Sequence, residues 1–374
     1  MSDEFREMAM QNTTNVEQHR LTARRLAKKR NKKILIITFF VVYTLFTLFP
    51  LYVLLVRSFV GTKHATDLWL WPPPMEEASL EYQWGNLSVF YNLDFDKVKN
   101  DLGIPQDAYI QARWTLERVA QEYGISEQEV QDYFTPYSVY SGWIVLFTDH
   151  KFWPALFRTI LITTLSLAGL NLLSILTGFG LAGLRRKDQI FVYNLYLLSA
   201  VIPVMMILLP QYMTIQWLLK LIPGYDVSGS TARYISQLMA VIALNIKGGA
   251  LGTMIFTVYI SSIPKDLEEA AEIDGANTLQ YLRYILLPLL KVPIASFTVI
   301  SLPAIWNQFL EPYIYLDAGN TTLLPLIQSY TGTYTTNYQV SYTGILISII
   351  PLVLIYLLFR NWFIQGAMSG AVKG

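Results

Sequence analysis

The chain has 374 residues, 53% of them hydrophobic, 14% aromatic and only 15% charged, with a mean hydropathy of +0.35. A soluble domain carries about 45–50% apolar and about 25% charged residues, so this composition places the chain in the membrane class. Its formal charge of +1 conceals a segregation of basic and acidic stretches. The absence of cysteine excludes disulfides, a thiol nucleophile and thiolate metal sites, and His19, His64 and His150 share no ligand spacing.

In chain order, residues 1–33 form a basic segment ending in Arg24, Arg25, Lys28, Lys29, Arg30, Lys32 and Lys33. A bilayer core of about 30 Å needs about 20 apolar helical residues, and such runs occur at 34–56, 157–184, 190–211, 235–260, 285–305 and 343–362. The first is too long for a signal h-region and lacks a small-residue cleavage site, so it reads as a retained span rather than a leader. The basic bias orients the chain with the amino terminus in the cytoplasm. Arg185, Arg186, Lys187, Lys265, Arg283, Arg360 and Lys373 then fall on the same inner side, while 306–344 contains no lysine or arginine. Both termini are thereby placed inside.

The loop from 57 to 150 is acidic, with Asp67, Glu76, Glu77, Glu81, Asp94, Asp96, Asp101 and Asp107 among its carboxylates. It is expected outside. Trp71-Pro-Pro-Pro74 marks a rigid exit from the membrane, and residues 105–134 carry helical periodicity with a stop at Gly124 and a capping-box pattern at Ser126 and Glu129. A small, mostly helical extracytoplasmic insert follows. Two roles stand for it, contact with a solute-binding partner or packing over the first two spans.

Between the fourth and fifth spans lies Ile263-Pro-Lys-Asp-Leu-Glu-Glu-Ala-Ala-Glu-Ile-Asp-Gly-Ala276. Ser262 and Pro264 suit a helix start, and Glu268, Glu269 and Glu272 favour its early turns through the dipole. At 100° per residue Leu267, Ala270, Ala271 and Asp274 fall on one side and the glutamates on the other. Gly275 suits a left-handed ending, and Asn277 or Thr278 a second cap. The second helix runs into Pro288, where it must kink or turn. A helix, turn and helix results, whose alanines allow close approach by another backbone and whose carboxylates suit arginines on a partner.

Glu269-Ala270-Ala271, Gly275 and Ile285-x-Leu287-Pro288 at these spacings resemble the EAA loop of permease subunits of bacterial ABC importers. The fuller stretch 263–276 is similar to the carbohydrate branch, especially the smaller maltose-type permease. Ile202 to Tyr212, Trp306 to Pro312 and Phe363 to Gly374 resemble that branch too. The likeness covers span one and residues from about 155 onward, and leaves out the acidic insert. It implies an all-α integral membrane protein with the six transmembrane helices of the type I importer fold, a permease core over 151–364 with its EAA loop at 261–288, and a cytoplasmic tail at 365–374. It also implies that Leu267, Glu269, Ala270, Ala271, Asp274, Gly275 and Pro288 belong to a coupling helix seated on an ATPase subunit. The implied partners are a second, homologous permease chain, two ATPase subunits, an extracytoplasmic solute-binding protein and a sugar; none is a nucleic acid.

No phosphate-cradling G-x-x-x-x-G-K-[ST] sequence occurs, so ATP and magnesium are expected on the partner ATPase and no cofactor or catalytic residue on this chain. The spans hold almost no ionisable residues in their centres, which weighs against ion coupling. Lys247 is the exception: it and Asn245 are cavity-lining candidates, against snorkelling or contact with the second permease chain. The local sequence departs from the sugar branch there. Trp306 and Asn307 are path candidates by resemblance. Tyr330, Tyr334 and Tyr338, in an uncharged outer loop rich in hydroxyls, suit a binding protein or an interfacial aromatic belt. Two other classes compete: an ion-coupled secondary transporter, which needs a charged intramembrane site and no ATPase, and a membrane-anchored binding or sensory protein, whose function would reside in the insert.

Overall fold

The computed structural model describes residues 3–60, 78–87, 93–201, 203–246, 250–331 and 338–371. Among these the regular elements are all helices, with an isolated bridge between Gln83 and Thr115 and no strand. Helix α1, Asp3–Arg57, is continuous from the basic segment through the first predicted span. Among the described residues three helices, α1 from Lys29, α5 (Phe152–Ala182) and α15 (Tyr338–Ala371) as far as Trp362, are long and apolar enough to cross a membrane unbroken.

The other crossings are interrupted. The fourth predicted span is α8 (Thr231–Ile246) followed by α9 (Ala250–Ile260), bent by 51°. The fifth is a rod from Thr278 to Leu289 followed by α12 (Lys291–Trp306), bent by 71°. The run expected as a single span at 190–211 is divided between α6 (Arg186–Val201) and α7 (Val204–Lys220), of 16 and 17 residues. Pro203 caps α7 with extended backbone at φ −61° and ψ 130°. Hydropathy averaging across it had hidden this break, because proline has no N–H to continue a helical ladder.

Helix α5 is the mast of the core. Its most extensive contact is with α9, and it also packs on α8 and α12, while α15 packs on α12 and α1. Small residues set the approach. A Cβ placed on Gly178 would lie 2.8 Å from Phe256 Cβ and 3.0 Å from the Thr257 backbone nitrogen, and one on Gly252 would lie 2.3 Å from Ser174 Oγ. With no hydrophobic drive between helices in lipid, such close backbone packing is what holds them. Buried hydroxyls crosslink the same helices: Thr177 and Thr253 share a 2.9 Å hydrogen bond, and Asn171 donates to Thr298 Oγ1 at 3.0 Å.

The acidic insert has its own small core of Trp84, Leu87, Val98, Leu102, Leu116, Val119 and Phe134, with Trp84 stacked on Phe95. Its helices are α2 (Phe95–Asp101), α3 (Leu116–Tyr123) and α4 (Glu127–Thr148). Gly124 ends α3 at φ 66°, as its position suggested. Residues 105–114 are not helical: Lys99 Nζ donates to the carbonyls of Gln106 and Ala108, fixing that stretch as a loop, and α3 starts only where Thr115 caps it by accepting from the Arg118 N–H. Ser126 occupies the N-cap of α4 but its side chain makes no capping bond.

Helix α4 outgrows the insert and runs along the start of α15, where a Cβ on Gly142 would meet the Gln339 carbonyl at 2.7 Å. Gly178→Ala should destabilise the purified protein by about 1–3 kcal/mol, since the backbone it would press on has little room to yield. The expected observation is a lower unfolding temperature in detergent than for wild type.

Candidate coupling surface and transport path

The segment between α9 and the fifth crossing forms a tightly tied hairpin. Ser262 does not start the next helix; its Oγ donates to the Tyr259 carbonyl at 2.7 Å and closes α9. Helix α10 spans Asp266–Ile273 with Lys265 at its N-cap, uncapped by any side chain, and Asp266, Glu268 and Glu269 in its first turn compensate through the dipole. Its end is a Schellman closure: the Ala276 N–H reaches the Ala271 carbonyl at 2.9 Å, the Gly275 N–H reaches the Glu272 carbonyl at 3.0 Å, and Gly275 sits at φ 78°. Asn277 then opens α11 (Thr278–Tyr281) with a full capping box, donating its N–H to Gln280 Oε1 at 2.7 Å and accepting the Gln280 N–H at 2.9 Å. The rod continues through a π-helical turn, Leu282–Leu286, and a last turn, Leu287–Leu289, that contains Pro288. The direction change occurs at Leu290, two residues beyond the proline.

The faces of α10 differ from the sequence expectation. Ala271 is 5% exposed and belongs to the main core with Tyr281, Leu286 and Leu290, whereas Leu267, Ala270 and Asp274 are exposed beside Glu269 and Glu272. Glu268 turns inward instead. The outward surface therefore combines carboxylates with exposed Leu267, Ile273 and Leu279, a mixture of charge and apolar area suited to a protein partner.

Of the path candidates, Lys247 lies outside the described residues. Asn245 is half-buried near the end of α8, paired with Gln308 and Ser166. Asn307 is exposed at the C-cap of α12. Trp306 is 4% exposed and its indole N–H donates to the Ser348 carbonyl at 3.0 Å, packing α12 on α15. Gln308, two residues on, carries the polar group that the sequence reading missed. Nothing in its type distinguished it from its neighbours.

Of the tyrosine candidates, Tyr334 lies outside the described residues. Tyr330 is half-buried and donates its hydroxyl to Asp149, and burial followed by this bond raises its phenol above the usual range. Tyr338 is exposed and stacks on Tyr342. A stronger tie was not foreseen. Arg233 grips Asp317 through Nε–Oδ2 at 2.9 Å and Nη2–Oδ1 at 2.8 Å, and Gln237 adds a bond at 3.1 Å. This joins the outer end of α8 to the turn after α13 (Leu310–Tyr315). Arg158 on α5 reaches the same region through the Thr321 carbonyl at 2.7 Å.

These features define a class: a multi-span helical membrane protein with interrupted crossings, an exposed hairpin of mixed charged and apolar surface at one end and a polar clasp at the other. The chain belongs to the family of binding-protein-dependent transport system inner membrane components, whose family profile matches residues 171–368. It is 26% identical over 220 residues to a probable starch degradation products transport system permease of Thermoanaerobacterium thermosulfurigenes, covering 58% of this chain and 74% of that one. It is 30% identical over 217 residues to an arabinooligosaccharides transport system permease of Halalkalibacterium halodurans, covering 58% and 71%. Its fold is similar to that of a crystallised bacterial ABC transporter involved in the import of the acidic polysaccharide alginate, at a TM-score of 0.55 and 16% identity, covering 89% of this chain and 97% of that one.

The Arg233 bond holds the Asp317 carboxyl below its reference of 3.8. A depressed carboxyl contributes stability that is whole above its unfolded value and lost as pH falls through the folded one. Asp317→Asn should therefore lower the unfolding temperature at pH 6–8, and the gap to wild type should close as the pH is taken below about 4, as read by thermal unfolding across a pH series.

Proposed function

We propose that the chain is the membrane-spanning permease subunit of an ATP-driven importer that translocates a sugar or oligosaccharide, of maltodextrin-like chemistry, handed over by an extracytoplasmic solute-binding protein. The observation that carries this is the hairpin at 263–290. It presents Glu269, Ala270, Leu267 and Asp274 outward and is anchored inward by Ala271 and Tyr281, and its sequence matches the coupling motif of the family to which the chain belongs. The family and the relatives named for starch products and arabinooligosaccharides support the transport role and the sugar class.

In this reading the chain pairs with a second, homologous permease, and two ATPase subunits bind ATP and magnesium on the cytoplasmic side. Both termini lie in the cytoplasm. The chain itself makes and breaks no covalent bond. Closure of the ATPases on ATP pushes the outward face of α10, and the rigid hairpin passes that push to the rod at 278–289. The bend at Leu290 then turns it into a tilt of α12 against α5 and α15, opening and closing a central path in alternation. Gly275 fixes the angle of the first joint. A bulky residue there would carry left-handed strain of roughly 1–2 kcal/mol.

Glu269→Lys combined with Gly275→Val should leave the chain in the membrane but abolish both co-purification of the ATPase and ATP-driven sugar uptake. Normal uptake and assembly by that double variant would contradict the coupling role. Uptake that persists after the ATPase genes are deleted would return the ion-coupled reading to favour.

A further inference from the structure

Two interrupted crossings are stitched together by a pair of side-chain amides. Asn245 stands one residue before the end of α8, and Gln308 stands in the short non-helical turn between α12 and α13. They exchange two hydrogen bonds: Asn245 Nδ2 donates to Gln308 Oε1 at 3.0 Å, and Gln308 Nε2 donates to Asn245 Oδ1 at 2.9 Å. Asn245 Nδ2 also donates to Ser166 Oγ at 3.2 Å on α5, a fully buried residue. Both amides therefore sit where a crossing loses its helix, and in a membrane such breaks persist only where they line a cavity or are buried in protein.

The two halves are held differently. Asn245 is tied to the mast by its bond to Ser166, and next to it the Ile246 side chain lies over Gly169 of α5. Gln308 follows the outer end of α12, whose inner end carries the coupling hairpin. Any tilt of α12 driven from the hairpin pulls Gln308 against Asn245. An amide left unpaired in these surroundings is costly, so the shut pair resists that tilt. A hydroxyl is both donor and acceptor, so a polyhydroxylated solute can replace either amide partner without leaving one orphaned.

We propose that the Asn245–Gln308 pair is a cargo-responsive closure of the solute path, holding the subunit in its resting state until sugar hydroxyls take over the amide bonds. Gln308 is its moving half. The proposal rests on the sugar-importer reading for its cargo, but the closure itself is measurable without sugar. Weakening a contact that exists only in the resting state shifts the population toward the state in which the ATPases close, so ATP hydrolysis without cargo should rise.

The test uses the intact complex, purified with its own ATPase and second permease in nanodiscs. Sugar-free hydrolysis is measured for wild type, Asn245→Ala, Gln308→Ala, the double variant, and the exchange of Asn245→Gln with Gln308→Asn. Each single alanine should raise the rate about fivefold, the double should go no further, and the exchange should return it toward wild type because two amides still meet. Effects that multiply in the double variant, or an unchanged rate in an assembled complex, overturn the proposal. If the alanine variants do not assemble, Gln308→Glu keeps the shape and an acceptor but removes the donor. A wild-type rate in that variant, or its failure to assemble, marks the pair as a structural clasp and overturns the proposal as well. Stimulation of wild-type hydrolysis by binding protein loaded with maltotriose or arabinotriose is measured separately; its absence counts against the sugar-importer reading and leaves the sugar-free comparison intact.

Discussion

The structure depends on the seating of one short hairpin on the permease's own core. Ala271 and Tyr281, 5% and 6% exposed, are points that press the start of the segment 263–290 into the helices that cross the membrane, and Leu286 and Leu290 bury its end. Alanine at the first point lets α10 lie close, and the Tyr281 ring, 6.3 Å from that of Phe179, ties α11 to the inner end of α5. Between these points the Schellman closure and the capping box satisfy backbone groups that a helix end leaves open, so little slack remains in the turn. Exposed carboxylates alone would make a sticky surface. Carboxylates on a rod with no free play are what the proposed lever requires.

A lever is useful only if the rods it moves are discrete, and the interior is built accordingly. A close backbone contact at Gly178 and the Thr177–Thr253 bond hold α5 against α9, and Asn171 on α5 reaches Thr298 on α12. Helix α12 begins after a 71° bend and ends at a turn that carries Gln308. At that turn the Gln308 amide finds its partner inside the protein.

How far the sequence disclosed this depended on whether a feature was local. Gly275, Asn277 and Gly124 were readable because left-handed closure and capping are decided within a few residues. The apolar runs at 34–56, 157–184 and 343–362 were readable because lipid imposes length. The break at Pro203 escaped because a window average weighs apolarity and ignores the missing N–H. Ala271 was grouped with Leu267, Ala270 and Asp274 because helical periodicity defines faces but not which face the core takes, and here it takes Ala271 together with the side of Glu268. Trp306 and Gln308 show the same limit: aromatic and amide types suit both a path and a packing contact, and only the neighbours supplied by α8 and α15 separate them. The insert's loop at 105–114 looked helical by pattern, yet Lys99 reaches across to bind its carbonyls, a contact between positions seven and nine residues apart.

The outer side shows why the insert and the core act together. Helix α4 begins within the insert's own core and ends against the first turns of α15, where Gly142 admits the Gln339 backbone. The end of α1 joins the same contact: Gln339 Nε2 donates to the Ser58 carbonyl, and Phe59 stacks on Trp143 at 5.6 Å. Asp149, just past α4, accepts from Tyr330. These bonds connect α4 to the outer ends of the first and last crossings and to the loop between the fifth and sixth. The Arg233–Asp317 clasp makes the equivalent connection for α8 and the turn after α13. Two separate sets of polar ties therefore link these elements, one centred on α12 and α8 and the other on α15 and α4. Because α4 is continuous from the insert to its contact with α15, a tilt of α15 cannot leave the acidic surface behind.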